Sequence, residues 1–599
     1  MFSKFLGASA LALALAPVGF ADAQTVVPSN ARPMCAVSAA TFASWFVSGR
    51  PSLNGAVNPA NSITFPNQND CNFYNWSAQM FLWLSSSASG PYGSNGFVFT
   101  SPIFYNVSGK NAQGRRTYTQ NQPDNPLPLL AVRNAQTGPH DLQLVIDKQG
   151  HLFEVLPALQ AEDGNSLVRN AAGNLAKVNR IEAQPGKKPE FFDAANKEIV
   201  LPKTPVLDTT LALRVAPELF EVTPEETKNF VQAFQANGQV VFVDSNGNAI
   251  EPTQGQAGNL SGVLLAQDRS LVYYATMVND VYAFFQTGTQ NGTFPSNPSG
   301  YSFFPTTQKQ LDPVIAYAAS KKSQLPDRIA LAIELKTSWI DTAGLPALGL
   351  RASDFITVKT TVPDYNRNNP VLWIPTGRTR PVTLAMVGMH VVGSVAGHPE
   401  MVWATFEHTN NTPSSGYTYT NTQGGISTVQ QGRAGKWVFA SPTATTYNVQ
   451  MANYLAAPNI QAAQGQTIKP SDTMLLKAWG TGSDSPNFIL ENTEVISSDS
   501  SVLTNLAKGD VRANYIMTGA TWTIRGQTVQ PNNQIGTNLL NNTTMETYDQ
   551  GINSQSNGSN CFSCHSNASP APGQPAGQPA NTAVSHIFTS LIPLFPKSN

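Results

Sequence analysis

Three stretches of this sequence are apolar almost without a break: Arg328-Ile-Ala-Leu-Ala-Ile-Glu-Leu-Lys336, Val382-Thr-Leu-Ala-Met-Val-Gly-Met-His-Val-Val392 and Met401-Val-Trp-Ala-Thr-Phe-Glu407. They have the length and the β-branched and aromatic content of strands. They lack the polar-apolar alternation of a strand with one wet face, so they must be covered on both sides. The chain therefore has to build a central sheet with a layer on each face. No repeat of roughly 20 to 50 residues recurs along the sequence, which argues against a propeller or solenoid. Asn, Thr, Ser, Gln, Gly and Pro are abundant elsewhere, as expected for short strands joined by polar turns. The expected fold class is mainly β, a large β-rich body with a central sheet or sandwich, a few α-helices and a C-terminal tail.

Helices are expected at a few places. Ser38-Gly49 has helical apolar spacing through Phe42, Trp45 and Phe46, and Asp70 is placed to cap a second helix carrying Phe73, Trp76, Met80, Phe81 and Leu84. Thr223 followed by Pro224 opens a third helix through Phe234, a fourth lies near Leu271-Phe285, and a short one at Met545-Gln550. Gln239-Val243 followed by Asp-Ser-Asn-Gly-Asn reads as a hairpin. After about Ser497 the sequence turns polar and Asn-rich. These shifts divide the chain into residues 1–23, an N-terminal mixed helix and β region 24–207, a β-rich central body 208–545 and a tail 546–599.

The first residues carry Lys4, an apolar stretch from Phe5 to Ala16 and small residues at Ala21 and Ala23, the pattern of a secretory signal cut after Ala23. That stretch is too short to span a bilayer, and no later one reaches the roughly 18 apolar residues required. A periplasmic or secreted protein with no membrane span is expected. Charged residues make up only 12% of the chain and its net charge is -1, so nothing favours nucleic acid as a partner.

The four cysteines fall into two pairs. Cys35 and Cys71, 36 residues apart, read as a disulfide in an oxidising compartment, the alternative being two buried thiols. Cys561 and Cys564 belong to Cys561-Phe562-Ser563-Cys564-His565, the Cys-x-x-Cys-His pattern of c-type haem attachment. The two-residue spacer lets both sulfurs reach the vinyl groups on one porphyrin edge, and the adjacent imidazole reaches the iron. A structural disulfide, a thioredoxin-like pair and half a zinc site compete with this reading. Zinc would want two more Cys or His at regular spacing, and a thioredoxin-like pair would open a helix in a βαβ unit. One covalent haem c is expected, bound by Cys561, Cys564 and His565.

Only 34 residues follow His565, and Ser566 to Ala580 form a linker rich in Pro, Gly, Gln and Ala. The haem is therefore expected to be covered by the preceding body. His586, 21 residues beyond His565 in Val584-Ser-His-Ile-Phe-Thr-Ser-Leu-Ile-Pro-Leu594, is the first candidate for the distal iron ligand. His390 follows, then Met545 and Met389, and an open iron position is the remaining alternative. His390, His398 and His408, with Glu400 and Glu407, share one hairpin-like region whose turn is placed at Gly393-Ser-Val-Ala-Gly397. They are read as structural histidines rather than a metal site. His140 and His151 flank another hairpin with no evident partner. There is no nucleophile elbow, phosphate loop or dinucleotide fingerprint.

The chain resembles large exported bacterial proteins of the cytochrome c family with a single C-terminal haem motif. The likeness is carried by Ile333-Glu-Leu-Lys-Thr-Ser-Trp339, Val387-Gly-Met-His-Val-Val392, Trp403-Ala-Thr-Phe-Glu-His408 with Asn410 and Asn411, and the Cys-Phe-Ser-Cys-His motif. It implies haem binding and electron transfer. A weaker likeness runs to exported dihaem oxygenases that cleave rubber, which carry two haem motifs where this chain has one. Two functions follow as expectations: electron exchange with a redox partner protein or a small-molecule donor or acceptor, or peroxidase- or oxygenase-like chemistry at an open iron site. A haem serving as redox sensor or structural pin is the third.

Overall fold

The three apolar stretches pair with one another. In the computed structural model, β4 (Ile333–Asp341), β6 (Leu372–Val395) and β7 (His398–His408) are adjacent antiparallel strands at the middle of an eleven-stranded sheet. The structure describes residues 27–93, 96–108, 115–121, 262–294, 303–432, 435–448, 459–480, 486–530, 533–537, 540, 542–545, 561–565 and 584–595, most of 166–200, and the backbone of short strands between 130 and 250 and at 452–453. The signal-like residues, the 223–234 and 546–550 segments, His140 and His151 lie outside the described residues.

Outward from this centre, β4 pairs with β3 (Tyr273–Asn279), which pairs with β1 (Phe104–Val107), followed by β2 (Tyr118–Gln120). On the other side β7 pairs with β10 (Tyr515–Thr523), and β10 with β11 (Gln534–Gly536). β6 is 24 residues long. Its second half serves the central sheet, while its first half pairs with β5 (Thr357–Asn366) and with β9 (Ile460–Ala462), itself paired to β8 (Ala452–Asn453). The sheet takes strands from 104–120 as well as from 273–536, so it runs across the boundary expected at 207.

Both faces are covered, as continuous hydrophobicity required. Every residue of β7 is buried. One face packs on α1 (Ala39–Trp45), α2 (Asp70–Leu84) and α5 (Pro486–Asn505). There Phe81 stacks on Phe406 at 4.5 Å and Phe73 on Trp522 at 4.5 Å. Gly393 is needed because a Cβ at that position would lie 2.8 Å from the Trp76 ring. Cys35, ahead of α1, is bonded to Cys71 in the first turn of α2, with Cα atoms 4.9 Å apart, so the disulfide ties the approaches to these two helices. The other face packs on α3 (Asp280–Gln290), α4 (Gln308–Ser320) and the segment 584–595.

Several expectations are corrected in detail. The cap of α2 is Asn69, whose side chain accepts from Asn72 N–H; Asp70 stands one residue inside, where its charge complements the helix N-terminus. The helix expected at 271–285 is a strand up to Asn279 and a helix after it. Asn279 makes the switch: its Oδ1 accepts from Tyr282 N–H at 3.1 Å and from Ile333 N–H at 2.9 Å. The polar region after Ser497 holds the second half of α5 and all of β10. The β6–β7 turn is only Ala396-Gly397, with Val395 opposite His398. The expected hairpin is present as Phe242–Val243 against Ala249–Ile250, while Gln239–Val240 pairs with Leu130–Arg133. Among the described residues no helix is long and apolar enough to cross a membrane.

Candidate functional site

The sheet face opposite α2 displays alternate residues of the central strands. Register sets Glu334, Val392 and Trp403 side by side in one row and Lys336, His390 and Thr405 in the next. Trp403 is almost fully buried, its indole N–H donating to the Glu400 carbonyl at 2.9 Å.

The motif docks on this tryptophan. Cys561–His565 forms a single helical turn, α6. Positions i and i+4 of a helix share one side, and Cys561 and His565 hold them. Phe562 is completely buried; its ring meets Trp403 edge-on at 6.2 Å, and its N–H donates to Gln534 Oε1 at 3.5 Å. The His565 ring stands edge-on to Trp403 at 4.3 Å. Half-buried Cys561 packs at the margin of the same apolar cluster. One aromatic residue of β7 thus fixes the turn from two sides.

His586 comes to the same place. Its ring lies parallel to that of His565, the planes 2° apart and the centroids separated by 3.9 Å. His586 is exposed, yet the segment that carries it is strongly anchored. Val584, Ile587, Phe588, Leu591, Leu594 and Phe595 are buried, and Phe588 packs among Tyr282, Phe285 and Phe304. Gln286, buried in α3, donates to the Phe588 carbonyl at 3.1 Å and the Leu591 carbonyl at 2.9 Å, and accepts from Tyr118 Oη–H at 2.9 Å. Backbone bonds join Arg116 N–H to the Ser590 carbonyl and Ile592 N–H to the Arg116 carbonyl. Directly before His586, Ser585 Oγ donates to Glu334 Oε2 at 2.6 Å and lies 2.6 Å from Tyr282 Oη. Burial pushes the Glu334 carboxyl above its usual range, while Ser585 and the charges of Lys336 and Arg116 oppose that shift.

The other expected residues lie elsewhere or play other parts. His390 shares the sheet face of Trp403, one row away. Met389 points to the α2 face, packed in the opposite core, and Met545 packs with Tyr274, Val387 and Phe439 in a third cluster that contains neither His565 nor His586. His390, His398 and His408 do not converge. His398 Nδ1 is 2.7 Å from Glu400 Oε1 and its ring meets Phe73, on the α2 face. His408 stacks on Phe355 at 3.7 Å, and burial lowers its pKa to about 4. Among the described residues, no group of three or more His, Cys, Asp or Glu is arranged to hold a metal ion through side chains alone. Trp403 and Gln286 were not singled out as site residues in the sequence; Trp403 was visible only as one member of a strand, and its partner lies some 160 positions away.

Chemically, the site offers a thiol-bearing helical turn, an imidazole beside it, a second imidazole facing the first, an aromatic wall, and the cations Lys336 and Arg116 nearby. Comparison of the chain with protein-family models, with curated proteins and with solved structures returns no match.

Proposed function

We propose that this protein is an exported monohaem c-type cytochrome that transfers electrons. The observation that carries the reading is the meeting of His586 with His565, which itself stands on Trp403, next to the Cys561–Cys564 spacing. The donor set suits haem c: two thiols at the spacing that adds across two vinyl groups, an adjacent imidazole, and a second imidazole from another segment. Bound there, the haem supplies reversible one-electron chemistry.

The chain's own residues do the rest. Phe562 and Trp403 hold the turn against the sheet and keep water from its inner side. Lys336, Arg116 and Arg115 supply positive charge for the carboxylates of a porphyrin. Face-to-face imidazoles 3.9 Å apart leave no space for a metal between them, so His586 has to turn its ring to act as a ligand. Two strong imidazole ligands close the iron to small molecules and favour electron transfer over oxygen or peroxide chemistry. The Cys35–Cys71 disulfide accords with export into an oxidising compartment.

The test is optical. The full chain, secreted by a host competent in cytochrome c maturation, is expected to show Soret absorption, to retain haem under denaturation, and to have a six-coordinate low-spin spectrum that carbon monoxide leaves unchanged. Cys561→Ser with Cys564→Ser should abolish retention under denaturation, and His586→Ala should convert the spectrum to high-spin and open it to carbon monoxide. A protein weighing no more than its polypeptide, without Soret absorption, would refute the proposal. A spectrum unaltered by His586→Ala would remove that residue as ligand.

A further inference from the structure

A second site lies at the far end of β4. Glu334, beside the tail, and Asp341, at the other end of the strand, are separated by seven residues, about 23 Å at the rise of a strand. There an open cleft of about 740 Å³ is lined by the turn Asp268-Arg269-Ser270, by Asp341 and Gly344, by Asp364 to Asn368 at the end of β5, and by Thr376 and Arg380 of β6. Its volume is that of a small-molecule site.

The cleft gathers three guanidinium groups and three carboxylates, those of Asp268, Asp341 and Asp364, yet only one ion pair forms among them. Arg380 is paired with Asp341 at 2.6 Å. The other Asp341 oxygen is committed to Ala343 N–H, and Asp268 is committed to the N–H and hydroxyl of Ser270. Arg269 and Arg367 have no carboxylate partner among the described residues. Arg367 donates to the Arg269 carbonyl at 3.0 Å, Arg269 to the Ile468 carbonyl at 3.4 Å, and both lie over the Trp373 ring, at 4.7 and 5.6 Å. Arg269 is held in the left-handed backbone region, φ +69°, which a bulky residue adopts only at a cost. Behind them the buried Trp373 indole N–H makes no hydrogen bond. Orphaned buried donors are costly. Tyr273 feels both Arg380 and Arg367, whose charges oppose the burial that pushes its pKa up to about 12.

We infer that this cleft binds a small hydroxylated carboxylate of the sugar-acid class. A carboxylate matches the planar fork of Arg367 and Arg269, where two parallel charge-assisted bonds form to one group. The acidic wall disfavours the higher charge of a phosphate, and Asp364, with Asn366 and Asn368, presents acceptors for ligand hydroxyls. With the lining balanced at three arginines and three aspartates, it is the unpaired Arg269 and Arg367 that select a monoanion with donors of its own.

Titration calorimetry on the full chain with D-glucuronate tests this, with D-glucose and inorganic phosphate as comparisons and Arg367→Gln and Arg269→Gln as variants. Glucuronate is expected to bind one to one, each variant to weaken it by about tenfold or more, and glucose and phosphate to bind at least about tenfold more weakly. Arg269 is exposed, so Arg269→Gln keeps the test valid even if Arg367→Gln perturbs folding, which circular dichroism reports. Absence of glucuronate binding, equal binding of phosphate, or affinity unchanged in Arg269→Gln overturns the inference. None of these outcomes bears on the haem reading, which the absorption spectrum reports separately.

Discussion

Replacing Gln286 with Leu should loosen the segment that carries His586 without unfolding the sheet beneath it. The side chain is fully buried and makes three hydrogen bonds, two to carbonyls of the segment and one from Tyr118. Leu fills nearly the same volume, so the change removes bonds rather than packing. The Phe588 carbonyl keeps a bond from Gln290 at 3.2 Å, and the Leu591 carbonyl keeps one from Arg115 at 3.2 Å, so neither is left bare. The loss specific to docking is then two bonds at about 1 kcal/mol each, roughly 2 kcal/mol. The Tyr118 hydroxyl is orphaned whether the segment is docked or not, so its penalty falls on global stability instead. Burial of Ile587, Phe588, Leu591, Leu594 and Phe595 is untouched, at about 1.5–3 kcal/mol for each large side chain, and docking survives as the dominant state. Opening should nevertheless become about 30-fold more frequent. Hydrogen exchange read on peptides covering Leu591, Ile592 and Leu594 measures this, because Ile592 N–H bonds to the Arg116 carbonyl and Leu594 N–H to Thr287 Oγ1. An acceleration under about threefold there, or an equal acceleration across β4, would refute the reasoning.

Other perturbations test the body. Arg512 and Asp510 form a wholly buried pair at 2.6 Å, with Arg512 also bonded to the Gly55 and Leu82 carbonyls; Arg512→Met strands the carboxylate and should cost about 3–5 kcal/mol in urea unfolding. Cys35→Ser with Cys71→Ser reopens a loop of 36 residues and should lower stability by about 4 kcal/mol, a loss that a reducing agent should reproduce in the parent. Burial pushes the Asp499 carboxyl up to about 8, so the folded state keeps a proton that the unfolded chain releases near its ordinary carboxyl pKa. Stability from this group is whole in acid and is lost as pH rises through about 8; Asp499→Asn should show a smaller fall in melting temperature between pH 5 and pH 8, and equal falls in both proteins would contradict this.

The central strands were legible because burial on both faces leaves a signal in every residue. α5 was not, because polar groups share its buried face with a few apolar ones. Ser497 Oγ accepts from Cys35 N–H, Ser501 Oγ from Val37 N–H and Thr493 Oγ1 from Thr420 N–H. A helix that also docks by capping the backbone of other segments has its apolar stripe, here Ile489, Val495, Ile496 and Val502, diluted by Ser, Thr and Asn and reads as a polar loop. At the site, the thiols and His565 were legible from local spacing, and His586 from its apolar neighbours. The aromatic wall was not, since nothing in Met401-Val-Trp-Ala-Thr-Phe-Glu407 distinguishes a tryptophan that packs on a motif from one that packs on a helix. The Arg269–Arg367–Arg380 cleft was equally silent, because Arg269 stands 98 positions from Arg367 in the chain and only the fold joins them.

The backbone bonds between Arg116 and the segment around Leu591 mean that an early piece of the chain waits for one made almost five hundred residues later. During synthesis the part of the sheet face that this segment covers is therefore left open until the segment is made, and the thiols of the motif leave the ribosome before it does. A nonsense change between 566 and 583 would spare Cys561, Cys564 and His565 while deleting the latch and its imidazole. Such a protein should keep the Cys-x-x-Cys-His spacing in full and still lack the second imidazole that faces it.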